Sequence, residues 1–138
     1  LPPVMGDRDR LETVILNLIN NGIDAVSSLG VDGAVTVRTR AGQMDGRSGV
    51  EVIVSDNGPG IPSEILGRVF DPFFSTKPAG QGTGLGLFLA YGIVGDHRGR
   101  IEAKNGEVGA LFVVALPAVG YRTASDEEGI WESQARYS

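Results

Sequence analysis

Asn17, Asn20 and Asn21 crowd the opening segment of this 138-residue chain, with Asp24 close behind. On a helix, Asn17, Asn21 and Asp24 stand at i, i+4 and i+7 and line one stripe within roughly 60° of arc. Asparagine is mildly unfavourable inside a helix, so three in one short stretch need a reason. A solvated face is one. The other is ligation, because a side-chain amide oxygen can complete the octahedral shell of Mg²⁺ without adding charge beside a nucleotide's phosphates.

Two further stretches have chemistry in them. Asp56-Asn57-Gly58-Pro59-Gly60 follows an alternating apolar run. A carboxylate there can accept a hydrogen bond from an exocyclic amine such as that of adenine, a charged bond of about 1.5–3 kcal/mol. Gly58 and Gly60 would let a flat ring approach the backbone. The same residues also make an ordinary Asx turn. Phe70-Asp71-Pro72-Phe73-Phe74-Ser75-Thr76-Lys77 leads into a segment where Gly80, Gly82, Gly84 and Gly86 alternate up to an apolar run. Bare backbone N–H groups at the positive end of a helix dipole form an anion site, and Lys77 could add the charge a triphosphate needs. Flexible linkers also alternate glycine in this way. There is no Gly-Lys-Ser/Thr, which excludes the Walker loop, and the spacing does not fit a dinucleotide fingerprint. On apolar grounds alone Phe73 and Phe74 read as core.

These stretches need elements to position them. Asp7 can cap a helix whose apolar residues Leu11, Val14, Ile15, Leu18, Gly22, Ala25, Val26 and Leu29 recur at helical spacing, ending near Ser28-Leu29-Gly30. Val35 and Val37, then Val50, Val52 and Val54, predict an antiparallel strand pair joined by a turn over residues 43–49. A short helix is expected from Ser63 to Arg68. Leu85 to His97 is apolar on nearly every face, which predicts a helix sandwiched between layers. A last hairpin pairs residues 101–104 with 111–116. The expected domain covers residues 1–117, with 118–138 as a polar, acidic tail or linker. The opening Leu1-Pro2-Pro3-Val4 reads as a domain cut from a longer protein.

Composition removes several classes of function. The chain has no cysteine and one histidine, so thiol chemistry and a zinc cluster are excluded, and His97 at a helix end suits capping or packing. A net charge of −5 without a long basic run argues against nucleic acid. The stretch from Leu85 to Val94 is too short to span a bilayer, and neither a signal peptide nor an anchor is visible. No direct membrane contact is expected.

The order of the motifs is their most specific feature. Asn17-Leu18-Ile19-Asn20-Asn21-Gly22-Ile23-Asp24-Ala25 resembles the N box of sensor histidine kinases. Asp56-Asn57-Gly58-Pro59-Gly60 resembles their first glycine box, Phe70-Asp71-Pro72-Phe73-Phe74 the F box, and Gly82-Thr83-Gly84-Leu85-Gly86-Leu87 the second glycine box. The resemblance runs from Asp7 to about Pro117 and is to the superfamily that also holds gyrase, a heat-shock chaperone and a mismatch-repair ATPase. Its nitrogen-regulation type of sensor kinase is most similar.

The resemblance implies an α/β two-layer sandwich: a mixed, mostly antiparallel sheet with three helices on one face and a short ATP lid. It implies ATP and Mg²⁺ as ligands. Asn21 would hold the metal, Asn17 would assist at the phosphates, and Asp56 would bind the adenine amine in a pocket shaped by Gly58, Gly60 and Ile61. Lys77, Gly82, Gly84 and Gly86 would hold the triphosphate, Asp24, Thr76, Gly80, Thr83 and Leu85 would also bind the nucleotide, and Phe73 or Phe74 would move with the lid. Asn17, Asn21 and Lys77 form the expected catalytic set.

The activity implied is transfer of the γ-phosphoryl group of ATP to a histidine on a separate dimerisation domain. From there the phosphorelay of a two-component system continues to the receiver domain of a response regulator, in the cytoplasm, whether or not the parent protein is membrane-anchored. Water-activating ATPases of the superfamily carry a general-base Glu four residues before the magnesium Asn, whereas Asn17 stands here. The alternatives are a nucleotide-sensing module without transfer, or an anti-sigma-type serine kinase or ATPase.

Overall fold

The computed structural model describes residues 1–75 and 84–119, apart from the side chains of Ser28 and Val31. Its elements are α1 (Arg8–Val26), β1 (Val35–Met44), β2 (Arg47–Asp56), α2 (Gly86–Asp96), β3 (Arg100–Asn105) and β4 (Ala110–Pro117), with 3₁₀ turns at Ser27–Asp32 and Leu66–Arg68. The strands form one sheet in the order β1-β2-β4-β3, every neighbouring pair antiparallel. No parallel pair occurs among the described residues. The mixed sheet expected from the sequence is therefore, in this part, purely antiparallel.

Local chemistry starts and stops the elements. The Asp7 carboxylate accepts the Arg10 N–H at 3.2 Å and caps α1. Asp45 and Gly46 both take positive φ, 52° and 80°, and make the two-residue turn whose twist matches a hairpin. Because Asp-Gly suffices for that turn, the ladder runs on to Met44 and Arg47, further than the loop over 43–49 expected from composition.

Two helix expectations change. Between residues 63 and 68 there is only the 3₁₀ turn Leu66–Arg68, with Ile65 and Arg68 bonded three residues back to Pro62 and Ile65. Ser63 bonds the neighbouring Glu64 side chain rather than a backbone N–H, and Gly67 stands inside the segment, so a helix this short lacks both a cap and propensity. The described residues hold two α-helices in place of the three expected.

The second change concerns α2. Only Ala90, Ile93 and Val94 are buried, while Phe88, Leu89 and Tyr91 remain 41%, 51% and 54% exposed. Among the described residues one layer packs on this helix, not two, so the apolar residues on its outer side stay at the surface.

The core lies between the helices and the inner face of the sheet. Val14 and Leu18 of α1 and Ala90, Ile93 and Val94 of α2 meet Val54, Ile101, Phe112, Val114 and Leu116. In β2 and β4 the inward side chains pair across the ladder, Val54 with Phe112 and Val50 with Leu116. Alternation then turns Asp56 inward on the same face as Val50, Val52 and Val54.

The helices are also pinned to each other at the surface. The His97 ring accepts the Asp7 N–H at Nε2, 2.9 Å away, and donates from Nδ1 to the Ile93 carbonyl at 2.7 Å. Arg10 and Asp96 pair beside it. Close by, Val4 bridges Ala118, and the Val119 N–H donates to Pro3. The rest of the segment expected as a tail, from residue 120, lies outside the described residues.

Leu18 is fully buried at the centre of this contact, so Leu18→Ala is expected to cost about 2–5 kcal/mol. Leu16→Ala, on the exposed side of the same helix, is expected to stay within about 0.5 kcal/mol. Denaturant unfolding of the two variants measures the contrast.

Candidate functional site

A cavity of about 370 Å³ opens between α1, the loop after β2 and the start of α2. That is within the range that small-molecule sites occupy. Its wall on α1 consists of Asn17, Asn20, Asn21, Asp24 and Ala25. Opposite lie Pro59, Gly60, Ile61 and Pro62, and Ile65, Val69, Phe74 and Phe112 add apolar surface. Ser75, Gly84, Gly86 and Leu87 close the remaining side. One end is therefore rich in amide and carboxylate groups, the other in hydrocarbon, a division suited to a ligand with a flat ring and a charged tail.

The amide stripe is real geometry: Asn17, Asn21 and Asp24 all line the cavity, as helical spacing requires. Asn17 has a second task. Its Nδ2 donates to the Gly86 carbonyl at 3.1 Å and ties α1 to the first residue of α2. That contact brings the N-terminus of α2, whose first N–H groups have no partner within the helix and which is the positive dipole end, against the amide wall.

Asp56 sits just behind the lining, only 7% exposed. Its Oδ1 accepts the N–H groups of Gly58 at 2.9 Å and of Ala110 at 3.3 Å, which fixes the carboxylate. Gly58 is wedged in the same place: a Cβ there would lie 3.0 Å from both Asp56 Oδ1 and the Ala25 carbonyl. Asn57 faces away and stitches the loop to the start of β1, donating to the Asp32 carbonyl at 2.7 Å and accepting the Ala34 N–H at 2.8 Å. The pair thus divides its labour, one residue turned toward the site and the next toward the scaffold.

At the far side the Phe73 N–H donates to the Gly84 carbonyl at 2.8 Å. Gly84 has φ +69°, and a Cβ on it would fall 2.4 Å from the Phe73 carbonyl carbon, so no other residue fits. Phe74 lines the cavity, with the Arg68 guanidinium 5.1 Å from its ring centre, whereas Phe73 is 75% exposed and does not. Leu85 is not a lining residue either, although Gly84 and Gly86 on each side of it are. Thr76, Lys77, Gly80, Gly82 and Thr83 lie outside the described residues.

The cavity also uses residues that the motifs do not single out. Asn20 carried a signal, as the third of the clustered amides. Ala25, Pro59, Ser75 and Leu87 stand inside the quoted stretches without a role of their own there, and Pro62, Ile65, Val69 and Phe112 carried no signal, since an apolar residue at a cavity wall has the same sequence signature as one in the core. Among the described residues no group of three His, Cys, Asp or Glu could hold a metal by itself.

Residues 6–120 match the family model described as histidine kinase-, DNA gyrase B-, and HSP90-like ATPase. The two-component sensor PprA of Pseudomonas aeruginosa is 47% identical over 116 residues, 83% of this chain and 12% of that protein. The sensory histidine kinase/phosphatase NtrB of Rhizobium meliloti is 39% identical over 138 residues, 93% of this chain and 35% of its own length. The chain thus spans about a third or less of these relatives. Among solved structures, the catalytic domain of histidine kinase ThkA superposes with a TM-score of 0.68 at 36% identity, covering 83% of this chain and 71% of that one.

The close approach at Gly84 gives a direct test of the geometry: Gly84→Ala, strained in φ and in contact, is expected to lose about 1–3 kcal/mol of stability in denaturant unfolding.

Proposed function

Because the chain belongs to the histidine kinase-, DNA gyrase B- and HSP90-like ATPase family, we propose that it is the catalytic domain that transfers the γ-phosphoryl group of ATP to a histidine on a separate dimerisation domain. The arrangement that carries this reading is the cavity between the amide stripe and the glycine loop, with a held carboxylate behind one end and a helix N-terminus at the other.

The base goes to the apolar end. No donor among the described residues is bonded to Asp56 Oδ2, so that oxygen is the acceptor offered to the adenine amine, while Gly58 and Gly60 add no side chain of their own there. Ile61, Ile65, Phe74 and Phe112 supply hydrocarbon for the ring. The phosphates go to Asn17, Asn21 and the start of α2, where backbone N–H groups favour negative charge, with Asp24 further along the same wall. Thr76, Lys77, Gly80, Gly82, Thr83 and Leu85 join this end on the strength of the motif order alone.

A divalent cation fits the donor set. Asn21 presents a hard, uncharged oxygen, and Mg²⁺ bound through one or two protein oxygens, phosphates and water is the usual arrangement beside nucleotides. Its contribution would be to neutralise phosphate charge. The chain's own residues do the positioning.

Asn17 decides which acceptor the site favours. An amide takes no proton, so no general base stands four residues before Asn21 to activate water, and a histidine imidazole needs less help as a nucleophile. The receiver domain of a response regulator is the next acceptor in this reading, and the cytoplasm the place. No helix among the described residues is long and apolar enough to cross a membrane.

Asp56→Asn is expected to weaken binding of a non-hydrolysable ATP analogue at least about tenfold in calorimetry, the equivalent of one lost charged hydrogen bond. An unchanged dissociation constant overturns the base assignment. Asn21→Ala is expected to leave the circular dichroism spectrum intact while removing the Mg²⁺ dependence of binding. Mixing the chain with a histidine-bearing dimerisation domain and γ-labelled ATP should label the histidine. Phosphate release by the chain alone, faster than about one turnover per minute, would instead support an ATPase.

A further inference from the structure

The loop that forms the base-side wall is held by a part of the chain far away in sequence. Asn105, the last residue of β3, accepts the Ile61 N–H at its Oδ1 and donates from its Nδ2 to the Ile61 carbonyl, both at 2.7 Å. One carboxamide therefore satisfies both backbone groups of one cavity-lining residue, as a neighbouring strand would, at the sheet edge where β3 has no further strand among the described residues. The approach is close: a Cβ on Gly60, which has φ +81°, would fall 2.9 Å from Asn105 Oδ1.

The other end of the same turn holds Asp56. The Gly106 N–H donates to the Gly109 carbonyl at 3.0 Å and closes the turn between β3 and β4. Gly109, at φ +70°, lies so near Asp56 that a Cβ on it would fall 2.1 Å from the Asp56 carbonyl oxygen. The next residue, Ala110, donates its N–H to Asp56 Oδ1. Residues 105–110 thus touch both the carboxylate assigned to the base and the backbone that faces the base, 54 and 44 residues earlier in the chain.

We propose that this turn is the device that sets the spacing between Asp56 and Ile61, with Asn105 as a positioning residue for base selection. The proposal rests on the ATP reading above and adds to it a residue outside the four motifs. Asn105 is exposed and does not line the cavity. It acts through Ile61, and its loss releases the loop without opening the core. The phosphate end is built on α1 and the start of α2, whereas the hydrogen bonds of the turn go to Asp56 and Ile61. Removing Asn105 therefore disturbs recognition of the base and leaves recognition of the phosphates alone.

The test compares ATP with inosine triphosphate, which has a carbonyl where adenine has its amine, by calorimetry on the wild-type chain, Asn105→Ala and Asn105→Asp. The aspartate variant keeps the acceptor for the Ile61 N–H and sets a carboxylate against its carbonyl, so it probes the same clamp if the alanine variant fails to fold. The wild-type chain is expected to prefer ATP by about tenfold or more, and each folded variant to narrow the preference to within about threefold, with faster hydrogen exchange at the Ile61 amide. A preference retained in the folded variants, or affinity for both nucleotides lost in equal proportion, overturns the proposal. A wild-type chain that binds neither nucleotide, or binds both alike, removes the base assignment and this inference together.

Discussion

A carboxylate at the inner end of a strand cannot be left to itself. Asp56 continues the inward face of β2 after Val50, Val52 and Val54, and at 7% exposure it has lost most of its water. Burial of a charge is costly unless hydrogen bonds replace that water. Here two backbone N–H groups do so, from Gly58 and Ala110. Much of the surrounding structure follows from that need: the chain must turn sharply at once after β2, β4 must begin beside it, and α1 must come close without a side chain in the way. Gly22 of α1 meets that last condition, since a Cβ there would already lie 3.1 Å from Val35 and 3.8 Å from the Asp56 side chain.

The amide stripe on α1 is positioned by a different force. Burial of Val14, Leu18, Gly22 and Val26 fixes the rotation of the helix, and the 3.6-residue period then sets where Asn17, Asn21 and Asp24 point. The apolar face thus aims the polar one. Asn17 completes the arrangement by bonding the Gly86 carbonyl, so the beginning of α2 and the stripe are placed by one contact. In the phosphoryl-transfer reading, catalysis depends on positioning and charge far more than on proton transfer. A site built from amides, backbone N–H groups and a helix end is consistent with that chemistry.

Among the described residues the outer side of the helical layer stays uncovered. Phe88, Leu89 and Tyr91 face solvent, although the uniform apolarity of the segment argued for a helix covered on both sides. Composition reports how much of a helix avoids water, not which neighbour covers it. The same ambiguity explains the cavity wall, where Val69 and Phe112 belong to the core and line the cavity as well.

What could be read without coordinates was whatever depends on local period and local chemistry. The cap at Asp7, the inward alternation of β2 up to Asp56 and the common face of Asn17, Asn21 and Asp24 are set by residues a few positions apart, and the order of the four motifs placed the chain in its family. The failures came where competing local signals were weak, as at residues 63–68, where six residues with a glycine and no cap could not sustain a helix. Only the folded chain brings Asn105 to Ile61 and Ala110 to Asp56, or Asn17 to Gly86. Such contacts join residues 44 to 69 positions apart. They exist because the sheet order and the packing of α1 and α2 close those distances, and no local pattern encodes them.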